Sequence, residues 1–394
     1  MAEDVDGSGT IGPSRELGLT SARRFDPAPH VDAGSSRPSL DLRRSTLAPP
    51  LRMPAEWEPH AATWIAWPHH EPDWPGKLGP IPWVYAEIVR ALHSYERVEI
   101  LCHTDEVRVA ARQHLDAHGV RPDGYRLHVV PNDRVWLRDS APTGVLDAAG
   151  RAALINWQFN AWAKYPNYEH DARVGQAIAA ATGLPRFEPV RPDTGAPVVL
   201  EGGAIETNGQ GLFLVTEECL LSPVQARNPG LTREGYEHVF RECLGVRQTI
   251  WLGEGCVGDD THGHVDDIAR FVDFETIVLA YEEDPADENH RRSADNLRRL
   301  QLAGGDRGAL RVVTVPFPRA VEMSGERLPA SYANFYIANG VVLVPTFNDR
   351  NDRLALNTFA ELMPDHHVIG IHAVDLVWGL GTLHCLTQQQ PKGV

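Results

Sequence analysis

"NFYIANGVVLVPTF", residues 334–347, is the stretch whose reading decides the fold. Two apolar runs of strand-forming residues meet at Asn339-Gly340, the dipeptide favoured in a tight two-residue hairpin of type I′. After them, "RLALNTFAELMP" (353–364) has helical spacing and "HVIGIHAV" (367–374) reads as another strand. The order is strand, strand, helix, strand. A purely parallel doubly wound sheet would not begin with a hairpin, so a mixed α/β unit of β-β-α-β type fits better.

Working outward, parts of the same order recur. "WVYAEIVRAL" (83–92) has helical spacing, "RVEILC" (97–102) reads as a strand, "DEVRVAARQHLDAHG" (105–119) as a helix stopped by Gly119, and "YRLHVVP" (125–131) as a strand. "LTREGYEHVFRECLG" precedes "QTIWL", and "SADNLRRLQLAGG" precedes "RVVTVPFP". Thr232 and Ser293 are expected N-caps, and Gly245 a C-terminal stop. No internal sequence repeat accompanies this recurrence of elements. Residues 1–47 are rich in Gly, Ser, Pro, Asp and Arg without periodicity, so a disordered tail is expected there and one catalytic domain over 48–394. Folded sequence is expected to begin near Met53, itself a candidate translational start.

The chain's 394 residues can bury a sizeable core, and a 42% apolar, 23% charged composition is that of a globular protein. The formal charge of −16 argues against nucleic acid and anionic membranes as partners and suits a cationic ligand. Five widely spaced cysteines, without a Cys-x-x-Cys pair, indicate neither a disulfide framework nor a zinc knuckle, so a reducing cytoplasm is expected. No apolar run approaches a membrane span.

Three places could carry chemistry. Cys385 sits in "GLGTLHCLTQQQP", between a glycine loop and a glutamine run, an odd setting for a structural thiol. In "GCVGDDTHGHVDDIARFV" (255–272), an extended His264-Val265-Asp266 would point imidazole and carboxylate to one face, a general acid/base beside an anionic binder. His262, His264, Asp259, Asp260 and Asp266 are also metal-ligand types, though no helical His-x-x-x-His or cysteine pair supports them. "NDRVWLRDSAPTGVL" (132–146) supplies Arg138 and Asp139, with Trp136 as core residue or substrate wall. A thiol, an imidazole and two separated carboxylates together suit a guanidinium: a flat, permanent cation that two aspartates can grip while a thiolate attacks its central carbon.

Seven motifs in order resemble the family of agmatine deiminase and bacterial peptidylarginine deiminase (Porphyromonas type), within the guanidino-group-modifying superfamily. They are "PAEWEPHAATWIAWP", "VWLRDSAPT", "NWQFNAWAKYP", "LEGGAIETNGQG" with "TEECLL", "DDTHGHVDDIARF", "PASYANFYIANGVVLVP" and "LHCLTQQQP", spanning about residues 50–391. The resemblance implies a five-bladed pseudo-symmetric α/β propeller (pentein), with the site on its axis. It implies that Cys385 forms a covalent amidino-cysteine intermediate, that His264 is the acid/base, and that Asp139 and Asp266 grip the substrate. Asn334 matches a site-lining position, with Glu201 and Trp136 as further substrate-binding candidates. No metal or other cofactor is implied. The expected reaction is agmatine plus water to N-carbamoylputrescine plus ammonia, a step of polyamine (putrescine) biosynthesis. Alternatives are a peptidylarginine or other guanidino-metabolite deiminase, amidino transfer, or a silent guanidine-binding homologue. The expected partner is a small cationic guanidino compound, and a homo-oligomer is possible. His384 is expected to point away from the site if its segment is extended. Two departures stand out: Thr382 where the family usually has Asn, and His262 where it usually has Asp.

Overall fold

The computed structural model describes residues 47–303 and 310–394. The expected tail over 1–47 therefore lies outside the described residues, apart from Leu47, which is buried. Five sheets carry the fold, and each contains one pattern: an antiparallel pair, a helical connection, then a strand added in parallel to the second strand; one of the five adds a further helix and parallel strand. The stretch 334–347 supplies one of them. Tyr336–Ala338 pairs antiparallel with Val341–Thr346, which pairs parallel with His367–His372 after the helix Asp352–Leu362.

The other four follow suit. Thr143–Leu146, Ala152–Ile155 and Arg186–Phe187 form the second; Glu206–Thr207, Leu212–Thr216 and Gln248–Leu252 the third; Ala269–Phe271, Thr276–Tyr281 and Arg311–Pro316 the fourth. In the fifth, the C-terminal strand Gln388–Pro391 pairs antiparallel with His60–Ala66, beside Val98–Cys102 and Tyr125–Val129. The middle strands, such as Val341–Thr346 and Thr276–Tyr281, are almost wholly buried. Strands covered on both faces read as continuous apolar runs, which is why "VVLVPT" and "TIVLAY" lack alternation.

Of the expected helix ends, Thr232 and Gly245 hold and Ser293 does not. Thr232 accepts from the Gly235 amide and Gly245 closes the same helix in the left-handed conformation, as expected. Ser293 is not a cap. The helix starts at Glu288, Asp287 accepts from the Asn289 amide, and the Ser293 hydroxyl donates to the Asn289 carbonyl inside the helix. The hairpin at 339–340 is also not type I′. Gly340 has φ +75°, but Asn339 keeps an ordinary negative φ, because its amide group accepts from His60 N and donates to His60 O. The turn residue thereby fastens one sheet to another.

Candidate active site

Each sheet is entered through a short turn, and the turns carry the candidate residues. Asp139 lies on the helical turn Leu137–Ser140, just before Thr143–Leu146. Glu201 begins the 3-10 turn Gly202–Ala204, before Glu206–Thr207. His264 caps the 3-10 turn Val265–Asp267, which holds Asp266, before Ala269–Phe271. Asn334 precedes Tyr336–Ala338, and Cys385 lies on the turn Leu383–Leu386 before Gln388–Pro391. Two expectations are corrected here: neither 264–266 nor 383–386 is extended. A tight turn, rather than strand alternation, aims these side chains.

They converge. A Cβ placed on Gly203 would lie 2.5 Å from His264 Nδ1, 2.9 Å from Asp139 Oδ1 and 3.1 Å from Asp266 Oδ2. Three candidate groups therefore border one point, and only a residue without a side chain fits there. Cys385 Sγ lies 3.8 Å from Asp266 Oδ2 and accepts from Asn334 Nδ2 at 3.1 Å. Asn334 Oδ1 in turn accepts from the Thr382 hydroxyl and the backbone N–H groups of His384 and Cys385. The departure to Thr382 thus fits, since its hydroxyl helps hold the cysteine turn.

Burial and charge set the protonation. Burial pushes the Asp139 carboxyl up to about 6, although His264 opposes. Asp139 Oδ2 accepts from Trp162 Nε1 at 2.9 Å and Oδ1 from the Gly203 amide at 3.1 Å. To aim that indole, Ala161, Trp162 and Ala163 all hold positive φ (51°, 57° and 53°), a conformation L-residues avoid. Burial works against the His264 imidazolium, but Asp139, then Cys219 and Glu201, hold its pKa well above the ordinary range. Its ring nitrogens stand 3.9 Å from Asp139 Oδ1 and 3.7 Å from Glu201 Oε2. Glu201 is fully buried and held down to about 2: burial would raise it, but Arg227, 3.0 Å away, and His264 prevail. Burial, then the charges of Asp266, Asp267 and Asp139, pushes the Cys385 thiol well above its usual range. The site therefore holds a protonated thiol among carboxylates, beside the His264 imidazolium.

Sequence reasoning missed several groups. His384 does not point away. Its Nδ1 is 2.7 Å from Asp266 Oδ2 and its Nε2 is 2.8 Å from Glu56 Oε2. Arg138 pairs with Glu56 at 3.0 Å rather than with its neighbour Asp139. Asp267 accepts from Asn334 Nδ2, and burial with Asp266 beside it pushes its carboxyl well up. No local signal marks Glu56 or Asp267, whereas a histidine next to the candidate cysteine is a visible cue.

A cavity of about 220 Å³ reaches Cys385 and Asp139, with Trp136, Trp162, Arg134 and Asp260 among its walls. Trp136 is thus both buried and a wall residue. Gly379 and Gly381 make room for tryptophans: a Cβ would fall 2.7 Å from Trp74 at Gly379 and 2.8 Å from Trp136 at Gly381. His262 turns to Ser222 Oγ, 3.0 Å away, and is not among the cavity's walls. Asp260 is, and it accepts from Tyr165 at 2.7 Å and pairs with Lys164.

A family model described as Porphyromonas-type peptidyl-arginine deiminase matches residues 52–391. An agmatine deiminase of Stutzerimonas stutzeri (strain A1501) is 34% identical over 363 residues, covering 86% of this chain and 95% of its own. Among solved structures, an agmatine deiminase of Enterococcus faecalis, described as catalysing its reaction, is 30% identical with a TM-score of 0.78, covering 87% of this chain and 96% of that one. A cysteine-to-serine agmatine deiminase of C. jejuni with substrate bound is 26% identical with a TM-score of 0.77, covering 87% and 97%.

Proposed function

The chain belongs to the Porphyromonas-type peptidyl-arginine deiminase family, and on that premise we propose that it hydrolyses agmatine to N-carbamoylputrescine and ammonia. The observation that carries this reading is the convergence at Gly203 of one imidazole and two carboxylates, with the Cys385 thiol 3.8 Å from one of them. Relatives of similar length over most of the chain bear the agmatine deiminase name. The 220 Å³ cavity lies below the roughly 300–1,000 Å³ of drug-sized sites, which favours a small cation over a peptide.

In this reading Asp139 and Asp266 take the guanidinium edges, and the cation offsets the charges that keep Cys385 protonated. The thiol proton passes to solvent. The thiolate attacks the guanidinium carbon, and His264, charged at rest, gives its proton to the departing amine, which leaves as ammonia. Cys385 then carries the substrate's remaining amidino group as a thioether-linked cation. Water, deprotonated by the now neutral His264 beside Glu201, attacks the same carbon; the C–S bond breaks, the new hydroxyl's proton passes to the departing thiolate, and the ureido product leaves with Cys385 again a thiol. Trp136 serves as a wall for the flat group, and Asn334 holds the cysteine turn.

We also read residues 48–394 as one domain whose five units close into a five-bladed pentein propeller. Closure is supported by the pairing of the C-terminal strand with His60–Ala66 and by the meeting of five equivalent turns. A reducing compartment is supported by five free thiols, and among the described residues no helix is long and apolar enough to cross a membrane. The test is a panel of agmatine, free arginine and arginyl peptides, scored for ammonia and ureido product. Turnover of peptides with agmatine untouched would sink the reading.

A further inference from the structure

We propose that His384 is a positioning residue for the deimination read above: an imidazolium clamped between Glu56 and Asp266, it holds the Asp266 carboxylate ionised and oriented for the substrate guanidinium. The geometry carries this. The residue is 1% exposed, and each ring nitrogen meets a carboxylate oxygen, at 2.7 Å on Asp266 and 2.8 Å on Glu56. A neutral imidazole offers one donor and one acceptor, so it cannot serve two ionised carboxylates.

Glu56 has no capacity for a proton. Besides His384, it accepts from Arg138 Nη2 at 3.0 Å and the Ile337 amide at 2.8 Å, and pairs with Arg270 Nη2 at 2.8 Å. Burial raises its carboxyl, but Arg270, His384 and Arg138 hold it well below the usual range. Burial, then Arg138 and Arg270, hold the His384 pKa below its ordinary value; against that stand two carboxylate oxygens within 2.8 Å, and with both carboxylates ionised each bond needs a protonated ring nitrogen.

The consequence falls on Asp266. Its Oδ2 is engaged by His384, while its Oδ1 is buried without a protein partner. Around the Asp266 carboxylate stand the Cys385 thiol, 3.8 Å from Oδ2, together with His264, Asp267 and Arg270. Burial raises all three aspartates near the thiol, yet only Asp266 ends below its ordinary value, with His384 the strongest opposing partner. His384 therefore keeps one carboxylate ionised and oriented before substrate arrives.

The test has two arms. In the intact, substrate-free enzyme labelled with ¹⁵N-histidine, the His384 ring, assigned by its loss in His384→Asn, should show both nitrogens protonated near neutral pH. A singly protonated neutral ring would overturn the proposal, and this arm does not depend on turnover. In the second arm, His384→Asn keeps an amide donor near the Nδ1 position, whereas His384→Gln reaches toward Nε2 and releases Asp266. The glutamine variant should raise KM for agmatine about tenfold to a hundredfold, the worth of one charge-assisted bond, and the asparagine variant much less. Both should move the acidic limb of kcat/KM upward, because Asp266 loses its cation. Equal losses in the two variants with an unmoved limb would mean that His384 only fills space. Wild-type enzyme that releases no ammonia from agmatine would instead defeat the functional reading, and leave the ring's protonation to decide the role of His384.

Discussion

Asp139→Asn should slow the reaction sharply and, at the same time, remove a pH-dependent burden from the substrate-free fold. The wild-type carboxyl is fully buried and raised from 3.8 to about 6, with burial the largest cause and Asp266 and Glu201 adding to it. That rise of about two units corresponds to roughly 3 kcal/mol at 1.36 kcal/mol per unit. The sign follows from linkage: the native state binds this proton more tightly than the unfolded chain. The stabilisation is therefore present below the unfolded pKa and lost as pH rises through about 6. Asparagine carries no such dependence, but it replaces one of two acceptor oxygens, leaving either the Trp162 indole or the Gly203 amide unpaired. That costs about 1–3 kcal/mol at every pH. The variant should be the less stable protein near pH 4 and should draw level or move ahead by neutrality. Paired urea titrations from acid to neutral pH read the gap directly. Agmatine turnover should fall by about a thousandfold, since a buried cation loses its counter-charge at a cost of about 3–5 kcal/mol. A stability gap that stays flat between pH 4 and 8, or grows in favour of wild type, would refute the reasoning.

Other expectations are narrower. Gly203→Ala should fold yet lose nearly all turnover, because its methyl would occupy the point shared by His264, Asp139 and Asp266; retained kcat/KM would contradict the proposed geometry. Ala163→Gly relieves a positive φ at an exposed position and should raise stability by about 1 kcal/mol with activity unchanged. Iodoacetamide should inactivate the empty enzyme faster as pH rises above neutrality, because burial and three aspartates hold the Cys385 thiol protonated; a rate flat from pH 6 to 9 would show a thiolate already formed.

How much of this was legible depended on distance along the chain. The hairpin at 339–340, the cap at Thr232 and the stop at Gly245 are local matters, and the sequence carries them within a few residues. Even there tertiary contacts intervened: Asn339 is set by His60, and the helix thought to begin at Ser293 begins instead at Glu288. Cys385, His264, Asp139 and Asp266 are candidates because a guanidinium asks for those four kinds of group, whereas the backbone at 264–266 and 383–386 is turn where an extended segment was expected. Four-residue turns have too few positions for periodicity to identify. His384 was misplaced for that reason. Its bond to Glu56 joins residues 328 positions apart, and nothing in either neighbourhood announces it.

The most direct measurement is mass analysis of the intact protein, quenched in acid during turnover of agmatine. The account predicts a transient mass gain equal to agmatine less ammonia, mapping by peptide to Cys385 and absent from Cys385→Ala. Steady ammonia release from the alanine variant, or an adduct on another residue, would contradict it.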